Sequence, residues 1–248
     1  MSSRPSASHA TSDGPKIEVI GHSRLGLPLL SHTWSRAQAP RVLILGGVHG
    51  DEVEGVALAQ ALLAEAISTA AFGLQHSLQN NLQISLQIIT QVNPDGVLLK
   101  TRGNGAGVDL NRNMDTKDWS PIAQTERYQP GPHAMSEPEA RHLAEQILNN
   151  KPQLIISLHS WKPMLNVNDA PNSKLCTQVA ESIARHTGDR IEPNIGYSTP
   201  GCLGTWAALE RGIPTLTYEI ERGLALNEVI RLHKAAVIDG LRTLEKLV

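Results

Sequence analysis

Apolar and polar positions along the chain fall into short extended runs separated by stretches of helical period. Ile17-Glu18-Val19-Ile20 alternates, residues 21–26 carry turn signals, and 27–34 returns, which predicts a hairpin over Lys16–Trp34. Val42-Leu43-Ile44-Leu45 is an unbroken apolar run ahead of Gly46-Gly47, the pattern of a buried strand, and helical period follows from Val53 to about Ala66. Residues 68–81 are polar, a loop or a helix end. Leu82–Val92 alternates Leu and Ile with Gln and Ser and predicts a strand ending at the turn Asn93-Pro94-Asp95-Gly96. Residues 103–114, rich in Gly and Asn, and the proline-bearing 120–136 predict irregular chain. Ser136-x-x-Glu139 has capping-box spacing for a helix reaching about Asn149. Leu154–Leu158 predicts a second buried strand, ending in His159. A helix over Ser173–Thr187 closed by Gly188, a glycine-rich loop over 194–204 and a short helix over Thr205–Arg211 follow. Pro214–Tyr218 is a strand ending in Glu219, and Asn227–Leu247 is a last helix with Val229, Ile230, Leu232, Ala236, Val237, Leu241, Leu244 and Leu247 as its apolar positions.

Strands alternating with helices indicate an α/β sheet covered on both faces, and in such folds ligands gather beyond the carboxyl ends of the strands. His49, His159 and Glu219 each fall at or just past such an end, so topology alone places three reactive side chains from distant sequence on one rim.

His49-x-x-Glu52 is expected in the first turn of the helix, where i, i+3 spacing puts both side chains on one face, close enough to share an ion. Nitrogen and oxygen donors suit zinc; His159 supplies a third ligand, and a catalytic zinc keeps its fourth position open. Water at such a site still needs a proton acceptor, for which Glu219 is the candidate. Glu221 stays open as an alternative, because extended alternation puts both carboxylates on one face. Asn111-Arg112 pairs an amide with a guanidinium, suited to hold a carboxylate, and Arg102 could face an oxyanion.

Composition narrows the field. With 248 residues, 40% hydrophobic and 19% charged, the chain can bury a full core, and one domain over 16–248 behind a disordered lead-in over 1–15 is expected. A net charge of −2 and only eight aromatic residues argue against nucleic acid or an anionic membrane as partner. Neither a signal-peptide core nor a membrane span is visible, and Cys176 and Cys202 make no disulfide framework, which together indicate the cytoplasm.

His49-x-x-Glu52, Lys100-Thr101-Arg102, Val108-Asp109-x-Asn111-Arg112-Asn113, Ser157-Leu158-His159-Ser160 and Thr217-Tyr218-Glu219 occur in an order that resembles the zinc carboxypeptidases of the carboxypeptidase A type. The resemblance implies a mixed eight-stranded sheet flanked by helices. It implies one zinc ion per chain on His49, Glu52 and His159, Arg102 at the oxyanion, Asn111 and Arg112 on the substrate carboxylate, and Glu219 as general base. Gly47–Glu52, Asn93–Gly96 and the loop 195–206 look like the bacterial murein tripeptide amidase subgroup. That likeness implies cytoplasmic cleavage of a γ-D-glutamyl–meso-diaminopimelate bond in a small peptide with a free carboxylate. Tyr197 looks like the tyrosine that closes over the substrate. Asp51 stands where many relatives have an arginine, and would suit the distal amino group of diaminopimelate. The alternatives are a desuccinylase or aspartoacylase-like deacylase, which shares several motifs, and a non-catalytic module that binds wall peptides.

Overall fold

The runs Val42–Leu45 and Leu154–Leu158 become neighbouring strands at the centre of the sheet, because only a strand covered on both faces can bury successive side chains. They lie in β3 (Arg41–Leu45) and β5 (Leu154–Trp161) of a computed structural model that describes residues 14–72 and 82–248. The other strands are β1 (Lys16–His22), β2 (Pro28–Trp34), β4 (Ser85–Ile89), β6 (Met164–Asn168), β7 (Arg190–Glu192) and β8 (Thr215–Glu221). Eight strands form one sheet in the order β1-β2-β4-β3-β5-β8-β6-β7. β4, β3, β5 and β8 are parallel, while β2 and β6 join this block antiparallel from either side, so the sheet is mixed as expected.

Helices α1 (Val53–Phe72), α2 (Pro94–Leu99), α3 (Pro138–Asn150), α4 (Leu175–Thr187) and α5 (Leu226–Leu247) complete the fold. The period-2 alternation of β3 divides the core. Val42 and Ile44 pack with Leu58, Leu62, Val179 and Val237, from α1, α4 and α5. Leu43 and Leu45 point to the opposite face, against Leu143 and Ile147 of α3 and against Trp206.

Several elements differ from the pattern-based expectation. The hydrophobic pattern misses β6 and β7, since Asn166, Asn168 and the short Arg190–Glu192 carry no apolar signature. α1 extends past Ala66 to Phe72; residues 73–81 of the polar stretch and 1–13 of the expected lead-in lie outside the described residues. The capping box is not made. Glu137 is the residue that precedes α3, with no side-chain cap bond and Pro138 opening the helix, while Glu139 accepts from Arg24 N (2.9 Å) and Asn104 Nδ2 (3.1 Å). Ser136 instead donates to Glu137 Oε1 (2.8 Å). A buried carboxylate takes the partners that satisfy it best, and tertiary neighbours here outcompete the local box. Asn93, read as a turn residue, caps α2 by accepting from Gly96 N at 2.9 Å.

Candidate active site

The chain leaves β3 through Gly46 and Gly47. A Cβ on Gly46 would meet Ala59 Cβ at 2.6 Å and Thr90 O at 2.8 Å, and Gly47 holds φ +60°. Only glycine tolerates both the close approach and the left-handed turn. The turn brings His49 over the strand ends. His49 and Glu52 do not stand in the first helical turn as expected; they occupy the turn ahead of α1, closed by Glu52 N donating to His49 O at 3.3 Å. The i, i+3 spacing still aligns them, with His49 Nδ1 2.9 Å from Glu52 Oε1.

His159 lies inside β5, two residues before its end, paired in register with Glu219 of β8. Its Nδ1 is 2.9 Å from Glu52 Oε2 and 3.1 Å from His49 Nδ1. The outer ring nitrogens have other partners: His49 Nε2 lies 3.0 Å from Asp109 Oδ1, and His159 Nε2 lies 2.9 Å from the Ser157 hydroxyl. An ionised carboxylate only accepts, so Asp109 fixes the proton of His49 on Nε2 and leaves Nδ1 as a lone pair. Two inward ring nitrogens and both oxygens of Glu52 therefore crowd one point, an arrangement that repels itself unless a cation sits there. Burial opposes charge on His49, yet Glu52 and Asp109 outweigh it and raise its pKa, so the point favours positive charge. The three residues are buried, with their donor atoms within 4.8 Å of one another. This donor set fits zinc, and the outer partners orient the rings for it.

Asp109 has a role that pattern reading did not assign, although it stands two residues before Asn111 in the same run. It is fully buried, accepting from Arg102 Nε (2.8 Å) through Oδ2 and from Asn111 N (2.9 Å) through Oδ1. Burial alone would raise its pKa, but His49 and Arg102 hold it below the usual carboxylate range. Arg102 also donates from Nη1 to Glu52 Oε1 at 3.1 Å.

Glu219 is buried and its Oε2 has no hydrogen-bond partner among the described residues. Burial is the largest influence and lifts its pKa to about 7, with His159 pulling it down and Glu52 pushing it up. Glu221 is exposed and is not among the residues lining the cavity.

His49, Glu52, Arg102 and Glu219 line a cavity of about 740 Å³, together with Asn111, Arg112 and Tyr197. Arg112 donates from Nη1 to Asn111 O (2.7 Å), while its buried Nε and Nη2 have no hydrogen-bond partner among the described residues. Asn111 is steadied through its Oδ1, which accepts from Leu203 N at 2.8 Å. The Tyr128 ring supports both guanidiniums, 4.9 Å from Arg102 and 5.0 Å from Arg112. Tyr197 stacks on Tyr128 at 6.2 Å and meets Trp161 edge-on at 5.9 Å. Beneath Glu219 the same face of the sheet turns polar: Thr217 on β8 pairs with Asn166 on β6, and Asn168 follows. Asp51 departs from expectation. It is not among the cavity-lining residues, and its Oδ2 accepts from Arg127 at 2.8 Å and Arg222 at 2.9 Å, which are. Two guanidiniums fill the place expected for a substrate amine.

Comparison with known proteins agrees with this geometry. Residues 8–227 match the zinc carboxypeptidase family. The chain is 31% identical over 211 residues to murein peptide amidase A of Vibrio campbellii, covering 81% of this chain and 77% of that one. It is 31% identical over 205 residues to murein peptide amidase A of Escherichia coli K12, at 78% and 77% coverage. Murein-tripeptide amidase MpaA from Escherichia coli O157 superposes with a TM-score of 0.75 at 26% identity over 96% of both chains. Carboxypeptidase A from Helicoverpa armigera shares the fold, with a TM-score of 0.74 at 19% identity, over 94% of this chain and 68% of that one. No helix among the described residues is long and apolar enough to cross a membrane.

Proposed function

The chain belongs to the zinc carboxypeptidase family, and from that premise we propose that it hydrolyses the γ-D-glutamyl–meso-diaminopimelate amide of a murein tripeptide and releases diaminopimelate. The observation that carries this reading is a cavity that His49 and Glu52 of the metal-binding set line together with Arg112 and Glu219, whose buried Nε, Nη2 and Oε2 have no hydrogen-bond partner among the described residues.

His49, Glu52 and His159 would hold a zinc ion, which would supply Lewis acidity to a water and to the amide carbonyl. The residues do the rest. Arg112 receives the free carboxylate beside the leaving amine through Nε and Nη2, and so fixes where the amide lies. Arg102, with Nε and Nη1 already bonded to Asp109 and Glu52, presents Nη2 to the negative charge that develops on the carbonyl oxygen. Glu219, whose Oε2 has no hydrogen-bond partner among the described residues, takes a proton from the attacking water and passes it to the leaving nitrogen. Tyr197, half exposed at the cavity mouth, covers the substrate. The polar floor of Thr217, Asn166 and Asn168 supports a leaving group with a polar side chain, as diaminopimelate has, over an aromatic or aliphatic one. One ion per chain is the stoichiometry that the one donor set among the described residues supports, and two free cysteines are in keeping with a cytoplasmic enzyme.

Zinc-loaded protein incubated with L-Ala-γ-D-Glu-meso-diaminopimelate should release diaminopimelate, seen by mass spectrometry. Chelation should stop release, and Glu219→Gln should stop it with zinc still bound by metal analysis. No release from zinc-loaded protein would overturn the substrate assignment, and an active Glu219→Gln would remove Glu219 from the base role.

A further inference from the structure

Resting on the amidase reading, we infer that Arg127 and Arg222, gathered by Asp51, form a receptor for an anionic group on the acyl side of the scissile amide. Its ligand is the free α-carboxylate of a γ-linked glutamyl residue. Both arginines line the cavity, and their side chains are 47% and 38% exposed. Each gives Nη2 to Asp51 Oδ2, and Arg222 Nη2 also donates to Asp51 O at 2.8 Å. Nε and Nη1 of both make no hydrogen bond among the described residues. Two guanidiniums around one carboxylate leave a net positive charge, with four N–H-bearing nitrogens free to meet an anion.

β8 shows on which side of the reaction this pair stands. Glu219 marks the reacting atoms. Two residues back, roughly 7 Å at the usual strand rise, Thr217 opens the polar floor with Asn166. Arg112 belongs to that lower side: Asn111 binds Leu203 N, and the adjoining Gly204 lies against Asn168, whose Nδ2 would be 2.9 Å from a Cβ there. The leaving amine, with its carboxylate and side chain, therefore points down. Arg222 stands three residues beyond Glu219 in the other direction, roughly 10 Å along the chain. The acyl part leaves upward past it.

The rim is held in place. Arg222 N donates to Trp161 O (3.0 Å), and Gly223 N donates to Glu54 Oε1 (2.6 Å). Ser160 Oγ donates to the other oxygen of that buried carboxylate at 2.6 Å. A γ-linked glutamate carries its free carboxylate four bonds from the scissile carbonyl carbon, roughly 5 Å when extended. An α-linked peptide has an uncharged amide there. Asp51 thus acts on substrate through the arginines it assembles.

The test compares L-Ala-γ-D-Glu-meso-diaminopimelate with the analogue in which 4-aminobutyrate replaces D-glutamate, removing only the α-carboxylate. Wild type should prefer the glutamyl substrate in kcat/KM by on the order of tenfold or more, the size of a charge-assisted contact. Arg127→Gln/Arg222→Gln should bring that preference close to one, with the change carried mainly by KM. Arg242→Gln, on the far helix α5, should keep it. A preference retained in the double variant, or a wild type that does not discriminate, overturns the inference and leaves the amidase intact. Cleavage of neither substrate by zinc-loaded wild type would overturn the amidase reading instead. Should the double variant fail to fold, each single Gln variant carries the same ratio test.

Discussion

A carboxylate stripped of its water on folding holds its proton harder, and Glu219 is the residue where that matters most. Burial raises its pKa from the ordinary 4.5 to about 7. Between those values the folded chain keeps a proton that the unfolded chain has released. Stability therefore falls as pH rises through that window, by on the order of 3 kcal/mol in all. In chelated protein, Glu219→Gln should be more stable than wild type at pH 8, with the gap closing toward pH 4.5; urea denaturation at several pH values measures this. A gap independent of pH would contradict the assignment. Residue chemistry was legible in part. His49, Glu52, His159 and Arg112 announce themselves by type and spacing, whereas Asp109 does not, because its effect is a tautomer imposed on a histidine sixty residues away. Asp51 shows the reverse failure: an acidic residue beside the metal ligands invites a cationic substrate group, and only the fold reveals that two arginines already occupy it.

At the scale of elements, the turn after β3 is the piece on which the site depends. A Cβ at Gly50 would lie 1.8 Å from Gly96 C and 2.3 Å from Val97 N, so the loop carrying His49 rests directly on the start of α2. Backbone cannot yield as a flexible side chain does. Gly50→Ala should cost at least about 2 kcal/mol, as overpacking does, and weaken zinc binding, because His49 is its neighbour. Gly188→Ala, at the αL end of α4 with open space around it, should cost only about 1 kcal/mol and leave zinc affinity unchanged. Chemical denaturation and a zinc titration of both variants check the contrast. Apolar period found the central strands and the long helices, since burial writes it into the chain. It passed over β6, whose Asn166 and Asn168 face a cavity rather than bulk solvent, and over β7, which is only three residues long.

Over the whole molecule, two apolar cores on opposite faces of the sheet are built without the metal centre, while the ligands come from the β3–α1 turn and β5. Zinc should therefore stabilise the fold without forming it. At a thousand times its dissociation constant a ligand adds about 4 kcal/mol, which for a chain of this size raises Tm by on the order of 10 °C. Calorimetry with zinc and with chelator should show that shift, with the far-ultraviolet circular dichroism of the folded state unchanged; an unfolded chelated protein would contradict it. The sequence by itself determined the strand–helix alternation, the donor types and the rim on which His49, His159 and Glu219 fall, because hydrophobic period and residue chemistry are local. Tertiary structure alone decided which ring nitrogens face inward, which carboxylates are already paired, and that Arg112 and Glu219 keep unpartnered atoms in one cavity. Those outcomes depend on which distant groups share a buried volume, and burial fixes the partners only once the sheet has assembled.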